Sequence, residues 1–552
     1  MISELRETYE KELASHKLVR SNFEGDWKLL QSFMPFRGRF FLSETNHSQK
    51  SRINGAINNA GIMAVRTLRS GLMAGVTSPA RQWFRLATQD ADKMKSRRVK
   101  EYLEIVEMLM RDIFARSNLY QVLPYVYGEL GNFGTACLVA MPSFNNVVNY
   151  FPVTIGQYYL GTNDENRVDT MVREFTLTGA QAMQKFNGNV SSRIKSAYDR
   201  GDTKTLFTFC HTIKPNPDAL ANPRAGKEMD YISVYWEQGN DTNKVEVSRM
   251  SGFGSFNVFA PRWETTGEDV YGYGCGHYAF GDDKQLQIQE KRKGQGIDKM
   301  VSPPMKAPST MKQQPIVGIP GGVTYYDSNS PGAAQGLSPL YEVRPAIQEL
   351  SIDMARVEQR ISRAFYEDLF LMMAQSDRRQ ITAREIDERA EEKLLQLGPA
   401  MESMHNELLD PIISNCYYHI QRAGLLPDAP EELEGESLQI EYISVMAQAQ
   451  KMVGIGAIER FIGFVGLVGQ QFPEARHKVD AINAVDTVGD MLGVPQKILR
   501  PQEEVDKSLQ ADAQQANMQQ AAQMGMAGTE AAKTLSEANT SRGNLLETLA
   551  GV

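Results

Sequence analysis

One stretch constrains this chain more than any other. Ile347, Leu350, Met354, Val357, Ile361 and Ala364 recur at alternating intervals of three and four, with Glu349, Asp353, Arg356 and Arg360 between them. That spacing lays a coiled-coil-like seam along one face of a helix. Read as one helix over about 346–373, it is roughly 40 Å long. Upstream, residues 282–300 read as a helix with little apolar content: Lys284, Gln285, Gln287, Gln289, Glu290, Lys291, Arg292 and Lys293. A helix polar nearly all round is either solvated or packed in an assembly. The two are separated by 301–345, which holds eight of the 24 prolines and reads as a loop-rich module with one short strand pair near Ile316–Ile319 and Val323–Tyr326.

After the seam comes a polar break, Gln375-Ser376-Asp377-Arg378-Arg379-Gln380. Thr382-Ala383-Arg384-Glu385 fits a capping box, in which hydroxyl and carboxylate satisfy the free N–H groups of a helix start. The helix it opens should run to about Ala423, bent or split at Pro399 and Pro411 and ended by Gly424 and Pro427.

The N-terminal part reads as helices over about 2–34, 53–75 and 95–116. The last carries Val99, Leu103, Val106, Met110 and Ile113 on one face. From 137 to 263 the texture is that of a sheet. Gln157–Leu160 and Thr170–Phe175 flank a hairpin turn, as do Ser233–Trp236 and Val245–Val247. Residues 438–498 read as a further helical unit. Beyond Pro501 the chain is rich in Gln, Ala and Met, with Glu503, Glu504, Asp506 and Asp512. That segment is a disordered tail or a helix that forms against copies of itself. The class is α+β, mainly helical.

A chain of 552 residues is long enough for roughly three or four such units. Its net charge of −8 argues against a protein that grips duplex DNA by neutralising many phosphates; any DNA contact should be local or sliding. Cys137, Cys210, Cys275 and Cys416 have no metal-ligand spacing and read as buried apolar residues of a reducing compartment. The N-terminus lacks an apolar signal core, and the most apolar stretch, Ile455 to Gly469, contains Glu459 and Arg460. The expectation is folding in a cytoplasm without a membrane anchor.

Motifs for chemistry are missing. There is no G-x-x-x-x-G-K-[ST], H-E-x-x-H or G-x-S-x-G, and the histidines at 16, 47, 211, 277, 405, 419 and 477 are scattered. The glycines of Tyr271-Gly272-Tyr273-Gly274-Cys275-Gly276-His277 fit neither nucleotide fingerprint and read as a flexible elbow before the polar helix. No catalytic residue, cofactor or metal is expected. Two basic clusters remain, Lys291-Arg292-Lys293 and Arg378-Arg379, each beside a long helix.

A string of motifs resembles the podovirus head-to-tail connecting (portal) proteins. It starts at Arg69-Ser70-Gly71-Leu72-Met73-Ala74-Gly75-Val76-Thr77-Ser78-Pro79-Ala80-Arg81-Gln82-Trp83-Phe84-Arg85-Leu86. In the family's order follow Ser117–Tyr120, Gly131–Ala136, Ile155–Leu160, Arg167–Thr170, Arg173–Phe175, Ser233–Glu237 and Ala260-Pro261-Arg262-Trp263. The resemblance spans about 20–430. Tyr273-Gly274-Cys275-Gly276 departs from the family's usual Arg-Ser-Pro-Gly-like turn.

The resemblance implies a non-enzymatic ring, usually of twelve subunits, at one capsid vertex, through which double-stranded DNA enters and later leaves. It implies a wing region over 1–281, a first stem helix at 282–300, a clip at 301–345 and a second stem helix at 346–373. A tunnel loop would follow at 374–382, a wing helix at 383–437, a crown at 438–500, and a tail or barrel helix at 501–552. Implied partners are other copies of the chain, DNA, terminase, scaffold and major capsid protein, and tail adaptor or tail tube proteins, with no membrane. The implied location is the virion, after assembly in the bacterial host cytoplasm. Ser376, Asp377, Arg378, Arg379 and Gln380 would line the tunnel loop, with Lys291, Arg292 and Lys293 as basic positions on the stem. Other readings are a different ring adaptor of the head-tail junction, an internal virion protein, or a packaging nuclease or ATPase. The last would need a P-loop or a carboxylate cluster.

Overall fold

The computed structural model describes residues 2–34, 56–90, 93–217, 229–239, 247–303, 305–306, 338–339, 346–376, 396–433 and 438–444, and scattered positions from 446 to 514. In chain order the main elements are α1 (Ile2–Phe33), α2 (Ala60–Gly75), β1 (Phe84–Thr88), α3 (Arg97–Arg116), α4 (Leu119–Phe133), β2 (Cys137–Ser143), β3 (Val147–Val153), β4 (Tyr158–Thr162) and β5 (Val168–Thr178). Then come α5 (Gly179–Lys185), α6 (Ser192–Asp199), β6 (Leu206–Pro215), β7 (Tyr231–Glu237), β8 (Arg249–Phe253), β9 (Val258–Phe259) and α7 (Cys275–Val301). The remainder are β10 (Met305–Lys306), β11 (Ser338–Pro339), α8 (Ile347–Ala364), α9 (Glu367–Ser376), α10 (Asp410–Arg422) and β12 (Leu438–Tyr442). The protein is a mixed helix-and-strand fold, as the sequence indicates.

The contacts divide the chain into one unit of 1–90 with 97–450, and a second of 91–96 with 451–552. In the first, β4 to β8 form an antiparallel meander. Its two faces follow from the two-residue period of a strand. On one face Tyr159, Val172, Cys210, Val234 and Trp236 pack on Tyr9 and Leu13 of α1. On the other, Phe207, Phe209 and Tyr235 pack on Ala182, Phe186, Ile194 and Ala197 of α5, α6 and their link. Burying both faces explains why the strands are so aromatic. The hairpin read at 157–175 is present, whereas the partner of β7 lies at 249–253, later than the expected Val245–Val247.

β2 pairs with β3 and β9, and β1 pairs with β12 across more than three hundred residues. The strand at 438–442 therefore joins the first unit rather than opening the helical unit that follows it in sequence. In the second unit, 461–468 is helical and exposes Phe461, Phe464 and Leu467.

The expected single helix over 346–373 is interrupted. α8 ends at Ala364, Tyr366 adopts φ 55°, and α9 starts anew at Glu367. A left-handed backbone costs about 1–2 kcal/mol for such a residue. It redirects the chain so that Phe365, Leu369 and Phe370 are all buried. Phe370 lies against α2 where Gly71 has no side chain; a Cβ there would be 2.1 Å from the ring.

The segment at 271–277 is likewise not a flexible elbow. A Cβ at Gly272 would meet the Gly134 carbonyl at 2.5 Å, one at Gly274 the Gly131 carbonyl at 2.6 Å, and one at Gly276 the Asn132 carbonyl at 2.2 Å. Gly134, at φ 76°, caps α4 and faces Gly272 in return. The glycines let two backbones touch, and α7 starts there, at Cys275 rather than near 282.

The helix expected over 383–423 is described from 396. It passes through a π turn at His405–Leu409 into α10, with Pro411 at the start of the new helix. The wider turn removes the need for the N–H that proline lacks. Gly424, at φ 66°, ends it as expected. The capping box at 382–385 and the strand pair at 316–326 lie outside the described residues.

Candidate nucleic-acid interface

α7 and α8 form an antiparallel pair. Arg360 Nε donates to Asp282 Oδ1 at 2.9 Å, and seven residues on along α7 and seven back along α8, Gln289 Nε2 donates to Asp353 Oδ2 at 2.6 Å. The short β10–β11 ladder continues the same course. The seam read from sequence is the packed face: Met354, Val357 and Ile361 are buried, with Ile347, Leu350 and Ala364 partly so.

The base of the pair is fixed by polar side chains. Gln287 Oε1 accepts from the backbone N–H of Ile57 (2.6 Å) and Asn58 (2.7 Å), while its Nε2 donates to the Asn58 carbonyl and to Asp283 Oδ1. Asn58 Nδ2 reaches Glu358 Oε1 on α8 at 2.9 Å, so one loop is bonded to both helices. Asp283 is fully buried, and burial pushes its carboxyl up to about 6 despite the Gln287 hydrogen bond. Beyond Gln287 no described residue of α7 is fully buried, and Ile288, Ile297, Met300 and Val301 are exposed, as is Ile352 on α8.

The basic stem candidates sit on this outer half. Lys291 and Arg292 are exposed, whereas Lys293 is half-buried and pairs with Glu290 at 3.5 Å. They are therefore not an equivalent trio. Lys284, also exposed, lies seven residues before Lys291 and shares its face, whereas the position seven residues after it is Asp298. Reading only contiguous charges misses Lys284; reading at heptad spacing finds it. Ser376 is the last residue of α9, and Asp377, Arg378, Arg379 and Gln380 lie outside the described residues. The two basic clusters are thus not brought together by anything described.

Chemistry finds no purchase in the contacts that resemble it. His211 Nε2 and Ser233 Oγ are 2.9 Å apart, the contact a nucleophilic serine needs. But Arg173 Nε donates to His211 Nδ1 at 3.2 Å, so the neutral ring carries its proton on Nε2, facing Ser233. Burial, then Arg173, Lys185 and Arg249, hold His211 well below its ordinary value, and Ser233 is buried as well. The pair is a hydrogen bond inside the sheet. The glycine segment at 271–277 offers no phosphate cradle, since the N–H groups of Gly272, Tyr273 and Gly274 donate to Thr135 Oγ1, the Glu264 carbonyl and His277 Nδ1. Among the described residues no His, Cys, Asp and Glu group is placed to hold a metal ion, and no helix is long and apolar enough to cross a membrane. All four cysteines are buried and free.

Residues 6–499 match the family described as bacteriophage head to tail connecting protein. The chain belongs to that family. It is 41% identical over 542 residues to the portal protein of Salmonella phage epsilon15, covering 98% of this chain and 97% of that one. It is 40% identical over 531 residues to the probable portal protein of Bordetella phage BPP-1, covering 96% and 94%.

The motifs that mark this connector chain are mostly packing devices. Trp83 and Phe84 are buried against Phe114, with Trp83 Nε1 donating to Tyr120 Oη at 3.1 Å. Gln82 and the N–H of Leu86 both donate to the buried Glu107. Asn118 makes paired bonds to the backbone of Tyr150, at 2.6 and 2.8 Å. Arg262 joins the π turn through Glu407 and the β4–β5 turn through Asn166. In a head-to-tail connecting protein these motifs set the framework on which the α7–α8 pair is mounted.

Proposed function

We propose that this chain is the subunit of a phage portal, a non-enzymatic ring at one capsid vertex through which double-stranded DNA is packaged and later ejected. The observation that carries this is the α7–α8 pair within a connector-family chain. It is rooted in a buried polar network, mounted on a rigid glycine crossing, and carries exposed Ile288, Ile297, Met300 and Val301 among charged residues on its outer half. A head-to-tail cyclic interface, with two different patches per subunit, covers such surfaces by closing into a ring.

In this reading 282–300 on α7 and 346–373, with α8 and most of α9, are the stem, 301–345 the clip, 374–382 the tunnel loop, 438–500 the crown and 501–552 a tail or barrel helix. The wing comprises the N-terminal region and the helix leading to α10. Terminase would dock first and supply ATP hydrolysis, and tail adaptor or tail tube proteins would follow. Scaffold and major capsid protein would seat the ring in the virion, after assembly in the host cytoplasm. A channel for sliding DNA needs few phosphate contacts, because each adds affinity and salt dependence; a net charge of −8 suits transit. Lys291, Arg292, Arg378 and Arg379 are the positions assigned to approach DNA, with Ser376, Asp377 and Gln380 beside them in the loop.

Electron microscopy of the purified full chain, with mass determination on the same sample, tests the proposal. Rings with a central channel and a mass near twelve subunits are expected, with or without scaffold protein. A chain that stays monomeric with scaffold present would overturn it.

A further inference from the structure

Across the β5–β8 part of the large sheet runs a row of side chains. Arg173, His211, Tyr235 and Arg249 are successive cross-strand partners, so all four project from the same face. The His211 ring lies flat on Tyr235, with centroids 3.7 Å apart and planes 5° apart. Arg173 flanks this stack on one side and Arg249 on the other. From α5, which packs over the same face, Lys185 brings a third cation. Its Nζ is 5.0 Å from the Tyr235 ring centroid and 4.5 Å from that of Phe175, over which Arg173 also lies at 5.1 Å.

Three cations gathered on an aromatic floor call for a counter-ion, and among the described ion pairs none supplies it. Glu174, next to Arg173 in sequence, projects to the opposite face, where it accepts from Lys17 and from Tyr159. Arg173 spends its Nε on the neutral His211. The arrangement is costly as it stands: burial, then Arg173 and Arg249, push the Lys185 amine down to about 8. Holding like charges on one half-desolvated face is tolerable when an anion completes the site. Neither ring of the stack is exposed enough for a base to stack upon, so the recognition is of charge.

We propose that Arg173, Lys185 and Arg249 form a binding site for a phosphate group. Two guanidinium forks, borne by β5 and β8, and one ammonium, borne by α5 over the same face, match a tetrahedral oxyanion with several acceptor oxygens better than a planar carboxylate. Arg249, exposed on the edge strand β8, is the open side through which the group enters. Arg173 serves twice, as a ligand and as the donor that keeps His211 neutral beneath the site. The group can be free phosphate or a phosphate of a nucleic-acid backbone.

The test is calorimetric titration of the full chain with sodium phosphate at fixed ionic strength, with chloride as the blank. Saturable binding is expected, weakened at least tenfold in Lys185→Gln/Arg249→Gln and retained in Lys185→Arg. Arg249→Gln alone, at an exposed edge position, gives the same reading with the least risk to folding. A short DNA duplex added to the phosphate-loaded protein separates the two sources. Displacement of phosphate assigns the site to nucleic acid, and no displacement assigns it to free phosphate. Absence of saturable phosphate binding, or binding equal in wild type and in both neutralised variants, overturns the proposal. Neither result depends on whether rings form.

Discussion

Arg262 and Glu407, 145 residues apart in sequence, are joined by a two-pronged ion pair. The Arg262 backbone N–H donates to Glu407 Oε2 at 2.8 Å and its Nε to Oε1 at 3.0 Å, while Nη2 reaches Oε1 and also the Asn166 carbonyl at 2.7 Å. One side chain thus ties the strand-rich half to the π turn that leads into α10. Because Arg262 is almost wholly buried, Glu407→Ala leaves a desolvated charge and is expected to cost about 3–5 kcal/mol in denaturant unfolding. Arg262→Lys should recover little of the loss caused by Arg262→Ala, since an ammonium cannot fork. Equal stability of the Lys variant and the wild type would contradict the clamp.

Gly71 sits where Phe370 crosses α2. Gly71→Ala puts a methyl into the ring and should destabilise by about 1–3 kcal/mol, while Gly71→Ala/Phe370→Leu should recover part of it. Additive losses in a double-mutant cycle would show that the two do not touch.

Glu107 is buried beside β1, where desolvation outweighs its hydrogen bonds and pushes its carboxyl from the ordinary 4.5 to about 7. The folded state then binds more protons than the unfolded state between those values. The group's stabilising contribution is full below about 4.5 and is lost as pH rises through about 7. Unfolding free energy measured from pH 4.5 to 8 should fall less steeply in Glu107→Gln than in the wild type. Parallel curves would rule the assignment out.

Neutralising Arg378 and Arg379 together should alter the length of packaged genome or its retention in filled heads. Lys291→Gln/Arg292→Gln should have a weaker effect, and Lys293→Gln the least, because Lys293 is already paired with Glu290. Genome length by pulsed-field electrophoresis and DNA retention in purified heads are the readouts. Wild-type values for Arg378→Gln/Arg379→Gln would remove those arginines from the channel.

Much of the framework was legible in the chain itself. The faces of α3 and α8, the 157–175 hairpin and the Gly424 stop each depend on residues within a few positions of one another, so local spacing reports them. The glycines of 271–277 were visible but misread. A glycine marks a turn or a close approach equally well, and only Gly131 and Gly134, more than a hundred residues earlier, show that here it is close approach. For the candidate interface, the run Lys291–Lys293 is plain in the sequence, while Lys284 needs helical geometry, and the weaker standing of Lys293 needs Glu290.

Sequence alone determined the family, the α+β class, the helix seam and its polar partner, because motif order and residue period are written along the chain. Tertiary structure decided the break at Phe365–Tyr366, the pairing of β12 with β1, and the row Arg173–His211–Tyr235–Arg249. Each of these turns on which distant surfaces meet. A pocket for Phe370 opposite Gly71 makes a strained φ tolerable, and strand register brings Arg173 and Arg249 to the face that α5 covers with Lys185.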